Sequence, residues 1–177
     1  MNADPTPTTR CVIALGSNLG DRLDNVRAGA TRIRDTDGID VVAYSTLYET
    51  APVGGPDNQG PYLNAALAAD TTLAAAELLA LLHQIEADRD RQRVVHWGPR
   101  TLDLDLFVHG DLVTDGDSLQ VPHPRMHERR FVMVPVCDVA ADLVHPRLGR
   151  TMSDLLADIP VEPGDLTALT DNWHTNT

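Results

Sequence analysis

Residues 97–107 read Trp-Gly-Pro-Arg-Thr-Leu-Asp-Leu-Asp-Leu-Phe, and Asp103 and Asp105 are the pair in this run with chemistry to offer. Strict alternation from Thr101 onward marks a half-buried β-strand. Leu102, Leu104 and Leu106 then share one face, and both carboxylates share the other. Side by side they repel, and aspartate is a poor strand former. Two readings follow. Either the pair is plain solvated surface, or a hard divalent cation with oxygen ligands, Mg²⁺ above all, compensates for it.

The basic residues narrow the chemistry. All 14 of them are arginine, and lysine is absent. That excludes a P-loop lysine, a protein-kinase β3 lysine, a Schiff-base lysine and a Ser-x-x-Lys nucleophile. Arg89, Arg91, Arg93 and Arg100 crowd the approach to the aspartates, and Arg125, Arg129 and Arg130 form a second group. The planar guanidinium fork suits phosphate oxygens. A solvated helix end could also carry such a cluster. Two arginine groups flanking a carboxylate pair, in a chain of net charge −12, have the composition of a phosphoryl-transfer site. The same net charge argues against nucleic-acid or anionic-membrane partners.

Other candidates carry less. Gly16-Ser17-Asn18-Leu19-Gly20 lies between a strand and a helix, where phosphate loops occur, but it fits no Walker or G-x-G-x-x-G pattern and reads mainly as a tight turn. His123 and His127 are four apart, yet Pro124 disfavours the helical geometry that zinc ligands at that spacing need. One histidine donating to a phosphate is the better reading. Trp97 and Phe131 are scarce aromatics in a chain with 4% aromatic residues. Tyr62 and Asn64 share a strand face beside a Gly/Pro loop and could hold a flat, polar heterocycle.

The elements that must position these residues follow from periodicity and caps. A strand is expected over 11–15. Asp21 then caps a helix over 22–35, with Leu23, Val26, Ala30 and Ile33 inward. A strand over 39–48 leads into a Gly/Pro loop over 49–61. A strand over 62–69 and a helix over 73–88 precede the arginine-rich loop and the aspartate strand. Residues 111–120 are turn-rich, 128–141 partly helical, 143–145 a short strand and 151–158 a small helix. The expected fold is α+β, a ferredoxin-like antiparallel sheet (β-α-β-β-α-β) with helices on one face plus C-terminal additions. Residues 1–10 read as a disordered extension, 11–160 as a single domain and 161–177 as a polar, frayed tail. The N-terminus lacks the apolar stretch of a signal peptide, no apolar run spans a bilayer, and Cys11 and Cys137 read as reduced thiols of a cytoplasmic protein.

Four blocks, Ala14 to Asp21, Tyr62-Leu63-Asn64-Ala65-Ala66, Trp97 to Asp105 and Val121 to Met126, resemble in the same order the 6-hydroxymethyl-7,8-dihydropterin pyrophosphokinases of folate biosynthesis. The resemblance runs over about 11–158. It implies transfer of pyrophosphate from MgATP to the hydroxymethyl group of the pterin, with release of AMP. Asp103 and Asp105 would hold two Mg²⁺ ions, and Arg91 and Arg100 would neutralise the migrating group. Thr50, Val53, Tyr62, Asn64, Trp97 and Phe131 would bind the pterin. Glu86, Arg91, Arg93, Trp97, Arg100, Leu106, His123 and Arg129 would bind ATP, with His83, Ser118 and Gln120 as weaker contacts, because these last three depart from the family's pattern. Asp90 and Ala51 depart from it too. The loops over 49–61 and 88–97 would close over the site. The expected state is a monomer, with the two small molecules as its only partners. Rival readings are a metal-dependent phosphohydrolase using the same aspartates and a non-catalytic ferredoxin-like binding module.

Overall fold

The computed structural model describes residues 7–52, 59–89 and 100–175. The first half of the fold runs β1 (Thr9–Ser17), α1 (Arg22–Arg34), β2 (Ile39–Tyr44), β3 (Leu47–Thr50), β4 (Tyr62–Thr71), α2 (Ala75–Ala87) and β5 (Asp103–His109). The strands pair antiparallel in the order β5-β1-β4-β3, and β2 pairs with the far half of β4. This is the expected α+β, ferredoxin-like arrangement with its second strand broken in two.

Local chemistry accounts for the elements. The Asp21 side chain accepts the Asp24 amide at 3.0 Å and caps α1, while Arg32 and Arg34 lie in its last turn, where the helix dipole favours cations. Glu77 reaches back to the Ala74 amide at 2.8 Å and starts α2. Val26, Ala30 and Ile33 of α1, and Leu78, Leu82 and Ile85 of α2, pack on Cys11, Ile13, Leu15, Leu67, Leu102 and Leu104. Burial pushes the Cys11 thiol up to about 11, and Cys137 is likewise free and raised.

Three expectations need correction. The first concerns the layers. A second core lies on the opposite face of the sheet, where Val12, Ala66, Phe107 and Val108 meet Met133 and Val136 of α3 (Arg130–Ala140) and Met152 and Leu155 of α4 (Met152–Ala157). Helices therefore cover both faces. The cause is visible in β1 and β4, whose central residues are apolar on both sides (Val12 and Ala14; Ala66 and Ala68). Strands of that kind are buried on both faces.

The second concerns the strand expected over 39–48, which breaks at Ser45 and Thr46. Ser45 is buried, and its hydroxyl accepts the Ala66 amide at 2.8 Å, so a side chain replaces a rung of the ladder. The strand expected over 143–145 is likewise only a bridge, Val144 to Thr151.

The third concerns the ends. β1 already includes Thr9 and Arg10, and residues 1–6 of the expected extension lie outside the described residues. The expected frayed tail is folded: β8 (Leu166–Thr170) pairs antiparallel with β3 and extends the sheet. Trp173 beyond it is 1% exposed. Its indole N–H donates to the Ser45 carbonyl at 2.8 Å, its own carbonyl accepts from Arg27 at 2.7 Å, and Tyr44 meets its ring edge-to-face at 5.8 Å. One buried indole thus anchors a segment whose average composition is polar. Trp173→Ala is expected to cost about 3–5 kcal/mol, read as a Tm lower by roughly 10 °C in thermal denaturation. A loss under about 1 kcal/mol would contradict this anchoring.

A small hairpin, β6 (Thr114–Asp115) with β7 (Gln120–Val121), and a single 3₁₀ turn, Met126–Glu128, lead from β5 into α3. Among the described residues no helix is long and apolar enough to cross a membrane.

Candidate active site

The register across the sheet brings the predicted residues together. Tyr48 of β3 faces Asn64 of β4, Asn64 faces Gly16 of β1, and Gly16 faces Asp103 of β5. One row therefore runs across the sheet from Tyr48 to Asp103. In the next row Ala66, Ala14 and Asp105 are partners. Gly16 and Ala14 leave a hollow between the asparagine and the aspartates. A Cβ on Gly16 would lie 3.2 Å from Asn64 Oδ1 and 3.8 Å from Asp103 Cβ. Over this hollow, Phe107, His123, Met126, Arg129, Phe131 and Val132 complete a pocket with Asn64, Asp103 and Asp105. The pocket lies on the α3 side of the sheet, opposite the leucines of β5.

Arg100 has the parity of the leucines, so alternation alone would send it to the wrong face. The structure bends the chain first. The Arg100 amide donates to Asn18 Oδ1 at 2.8 Å, and the Asn18 amide donates to the Arg100 carbonyl at 3.1 Å. From there the Arg100 guanidinium donates to Asp103 Oδ2 at 2.6 Å. Asn18 Nδ2 also donates to Gln59 Oε1 at 3.2 Å, which ties down the end of the Gly/Pro loop. Asn18 therefore holds both Gln59 and Arg100. Sequence reasoning treated its segment as a turn, because contacts across 82 and 41 residues leave no local signal.

The remaining predicted residues divide. The Thr50 hydroxyl accepts from Asn64 Nδ2 at 2.8 Å, and Tyr62 faces Thr50 across β3 and β4. Phe131 and Arg129 sit at the start of α3, with the Arg129 guanidinium 5.9 Å from the centre of the Phe131 ring. Glu86 has a protein partner: its carboxylate, 3% exposed, accepts the Leu104 amide at 2.7 Å. It holds the outer edge of β5 and does not line the pocket. The Leu106 side chain belongs to the core beneath the sheet, which leaves only its main chain for a nucleotide. His83 is exposed on α2, and Ser118 and Gln120 are exposed in and around the β6–β7 hairpin; none of the three lines the pocket. Val53, Arg91, Arg93 and Trp97 lie outside the described residues.

Charge balance in the pocket is uneven. Burial works against the Arg100 charge, and Asp103 more than restores it by its own charge and by the hydrogen bond. Arg129 is shifted down from the usual guanidinium value by burial and then by Arg125. Burial, followed by the Arg129 charge, holds His123 below the usual imidazole value. Burial and the Arg129 charge both favour the uncharged ring. Since its Nδ1 accepts the Arg125 amide at 3.3 Å, the proton sits on Nε2 as a donor.

The comparisons with known proteins decide the family. A family model described as 7,8-dihydro-6-hydroxymethylpterin-pyrophosphokinase matches residues 12–141. The chain belongs to that family. It is 40% identical to the 2-amino-4-hydroxy-6-hydroxymethyldihydropteridine pyrophosphokinase of Pseudomonas aeruginosa, covering 86% of this chain and 93% of that one. It is 43% identical to the protein of the same name from Bacillus subtilis, over 72% of this chain and 75% of that one. Among solved structures, Plasmodium falciparum HPPK-DHPS superposes with a TM-score of 0.67 at 12% identity, over 88% of this chain. The likeness there is one of fold, and this chain spans 44% of that longer protein. As a member of the pyrophosphokinase family the chain is an enzyme, a diphosphotransferase of folate biosynthesis.

Proposed function

We propose that the α3-side pocket transfers the β,γ-diphosphate of ATP to the hydroxymethyl group of 6-hydroxymethyl-7,8-dihydropterin. The observation that carries this reading is the placement of Asp103, Asp105 and Arg100 at one end of a hollow that has Asn64 and Phe131 on its other walls. Such a site has a phosphate end and an end for a flat heterocycle. The substrates themselves follow from the names of the relatives.

Asp103 and Asp105 present hard oxygen donors on one strand face, and no third histidine, cysteine, aspartate or glutamate joins them among the described residues. Two carboxylates are too few for an all-protein cage but suit Mg²⁺, which binds through one or two carboxylates and takes its other ligands from phosphates and water. The pair fits Mg²⁺ arriving with ATP, and two ions are the count the resemblance implies. When bound, Mg²⁺ would neutralise charge on the phosphates and hold them in line.

The chain's own residues carry the rest. Asn64 spends its Nδ2 on Thr50, which leaves Oδ1 as the acceptor for an N–H on the edge of the pterin. Phe131 offers a ring face, and Tyr62 shares the sheet row of Thr50 beside it. His123, whose Nδ1 is taken by the Arg125 amide, donates through Nε2, and Arg129 through its guanidinium, to phosphate oxygens. Arg100 faces the group in flight, as Arg91 is also expected to do. The pterin hydroxyl oxygen attacks the β-phosphorus, the bond from that phosphorus to the α-phosphate oxygen breaks, AMP leaves, and the hydroxyl proton is released. No covalent protein nucleophile is needed, because positioning and charge supply the rate. Closure of the loops over 49–61 and 88–97, which the resemblance implies, would exclude water.

Incubation with MgATP and the hydroxymethyl dihydropterin tests the reading. AMP and the pterin diphosphate should form in equal amounts; ADP or free phosphate in place of AMP would overturn it in favour of the phosphohydrolase. The enzyme is further read as a cytoplasmic monomer, which the free cysteines support as to compartment; sedimentation checks the mass.

A further inference from the structure

We propose that the C-terminal segment over 165–173 is a working part of the substrate pocket, and that Asp165 is a positioning residue acting through Arg130. The proposal rests on the reading that Arg129 and Phe131 meet the substrates.

Arg130 lies between those two residues as the first residue of α3. Its Nε is 2.8 Å from Asp165 Oδ2. Both atoms are shut off from solvent and neither makes a hydrogen bond among the described residues, so the ion pair is the contact that compensates them. Each side chain keeps 23% of its surface exposed, so the pair is half-buried, and parting it leaves the two enclosed atoms without a partner. The helix start needs such a tie. No side chain caps α3 at Arg129, so its own sequence does not set where the first turn lies. Asp165 supplies the negative charge that a helix N-terminus favours.

The same segment reaches the opposite wall. Leu166, the next residue, pairs with Thr50, whose hydroxyl orients Asn64. At the far end Trp173 is locked to Ser45, in the break between β2 and β3. One short stretch of chain therefore spans from the aromatic wall of the pocket to the asparagine wall. It also lies beyond residue 141, where the match to the family model ends. A brace that fixes the spacing of two walls should act on substrate binding more than on the bond-breaking step.

Asp165→Asn keeps the shape and removes the charge. The expected result is a dissociation constant for the pterin, read by fluorescence titration with a nonhydrolysable ATP analogue present, raised about tenfold, with kcat within about threefold of wild type. Asp165→Glu should recover most of the loss, and the exchange Arg130→Asp with Asp165→Arg should recover part of it. Asp158→Asn, which breaks the exposed Arg150–Asp158 pair at 2.5 Å, should leave binding unchanged. Pterin binding by Asp165→Asn within twofold of wild type overturns the proposal. So does a loss that the Asp158→Asn control reproduces, or one that appears in kcat and not in binding. Phe131→Ala separates the two readings. If it weakens pterin binding while Asp165→Asn does not, the brace alone fails; if it leaves binding unchanged, the assignment of the aromatic wall fails, and the brace with it.

Discussion

Asp105→Ala is expected to remove nearly all turnover, with kcat falling about 10³-fold or more, or about 4 kcal/mol of transition-state stabilisation, while pterin binding measured without nucleotide should survive. The split follows from geometry. Asp105 stands beside Ala14 in the sheet row next to that of Asn64 and Gly16, so its loss strips the phosphate end of the pocket and leaves Asn64 and Thr50 in place. The strand itself should persist, since β5 is paired to β1 along most of its length and held at its outer edge by Glu86. Removing one of two adjacent carboxylates also relieves repulsion, so Tm should not fall. Rapid-quench assays with MgATP and a titration with pterin alone measure the two halves. A mutant that keeps the wild-type rate in Mg²⁺ would sink the assignment of the aspartates, and one that loses pterin binding equally would show that the pocket ends are not separable.

Arg100→Ala should give the second large effect, a fall in kcat of about 10²–10³-fold with a smaller change in the KM of either substrate. Its main-chain bonds to Asn18 do not involve the side chain. The bend therefore remains, and only the guanidinium facing Asp103 is lost. Arg100→Lys should recover little of the rate, because an ammonium cannot reproduce a planar fork between a carboxylate and a phosphate oxygen. Steady-state kinetics under saturating MgATP decide the matter. Equal losses in kcat from Arg100→Lys and Arg100→Ala support the fork geometry, while full rescue by lysine would reduce Arg100 to a plain positive charge.

The site was legible where it depended on spacing within one strand. A period of two places Asp103 and Asp105 on one face whatever the rest of the chain does, and the same rule groups Tyr62 with Asn64. The caps and apolar stripes of α1 and α2 were legible for the same reason, since each helix signal lies within a few residues. Glu86 marks the limit. Its position was picked out by resemblance, but the partner it takes, the Leu104 amide, depends on β5 being an edge strand with N–H groups to satisfy. The folded tail was missed because a single indole outweighs the polar residues around it, and averages over a segment hide one buried anchor.

By itself, then, the sequence determined which residue types were available, excluding every lysine-based chemistry, and which side chains share a face within each element. The tertiary structure alone decided which faces meet. It set Asn18 against Arg100 across 82 residues, laid α3 over the second face of the sheet, and brought Trp173 to Ser45 across 128 residues. The reason is physical. Periodicity is a property of neighbouring dihedral angles and can be read along the chain. Contacts between distant segments follow from how several elements share buried surface and satisfy one another's polar groups, and no one of them carries that information alone.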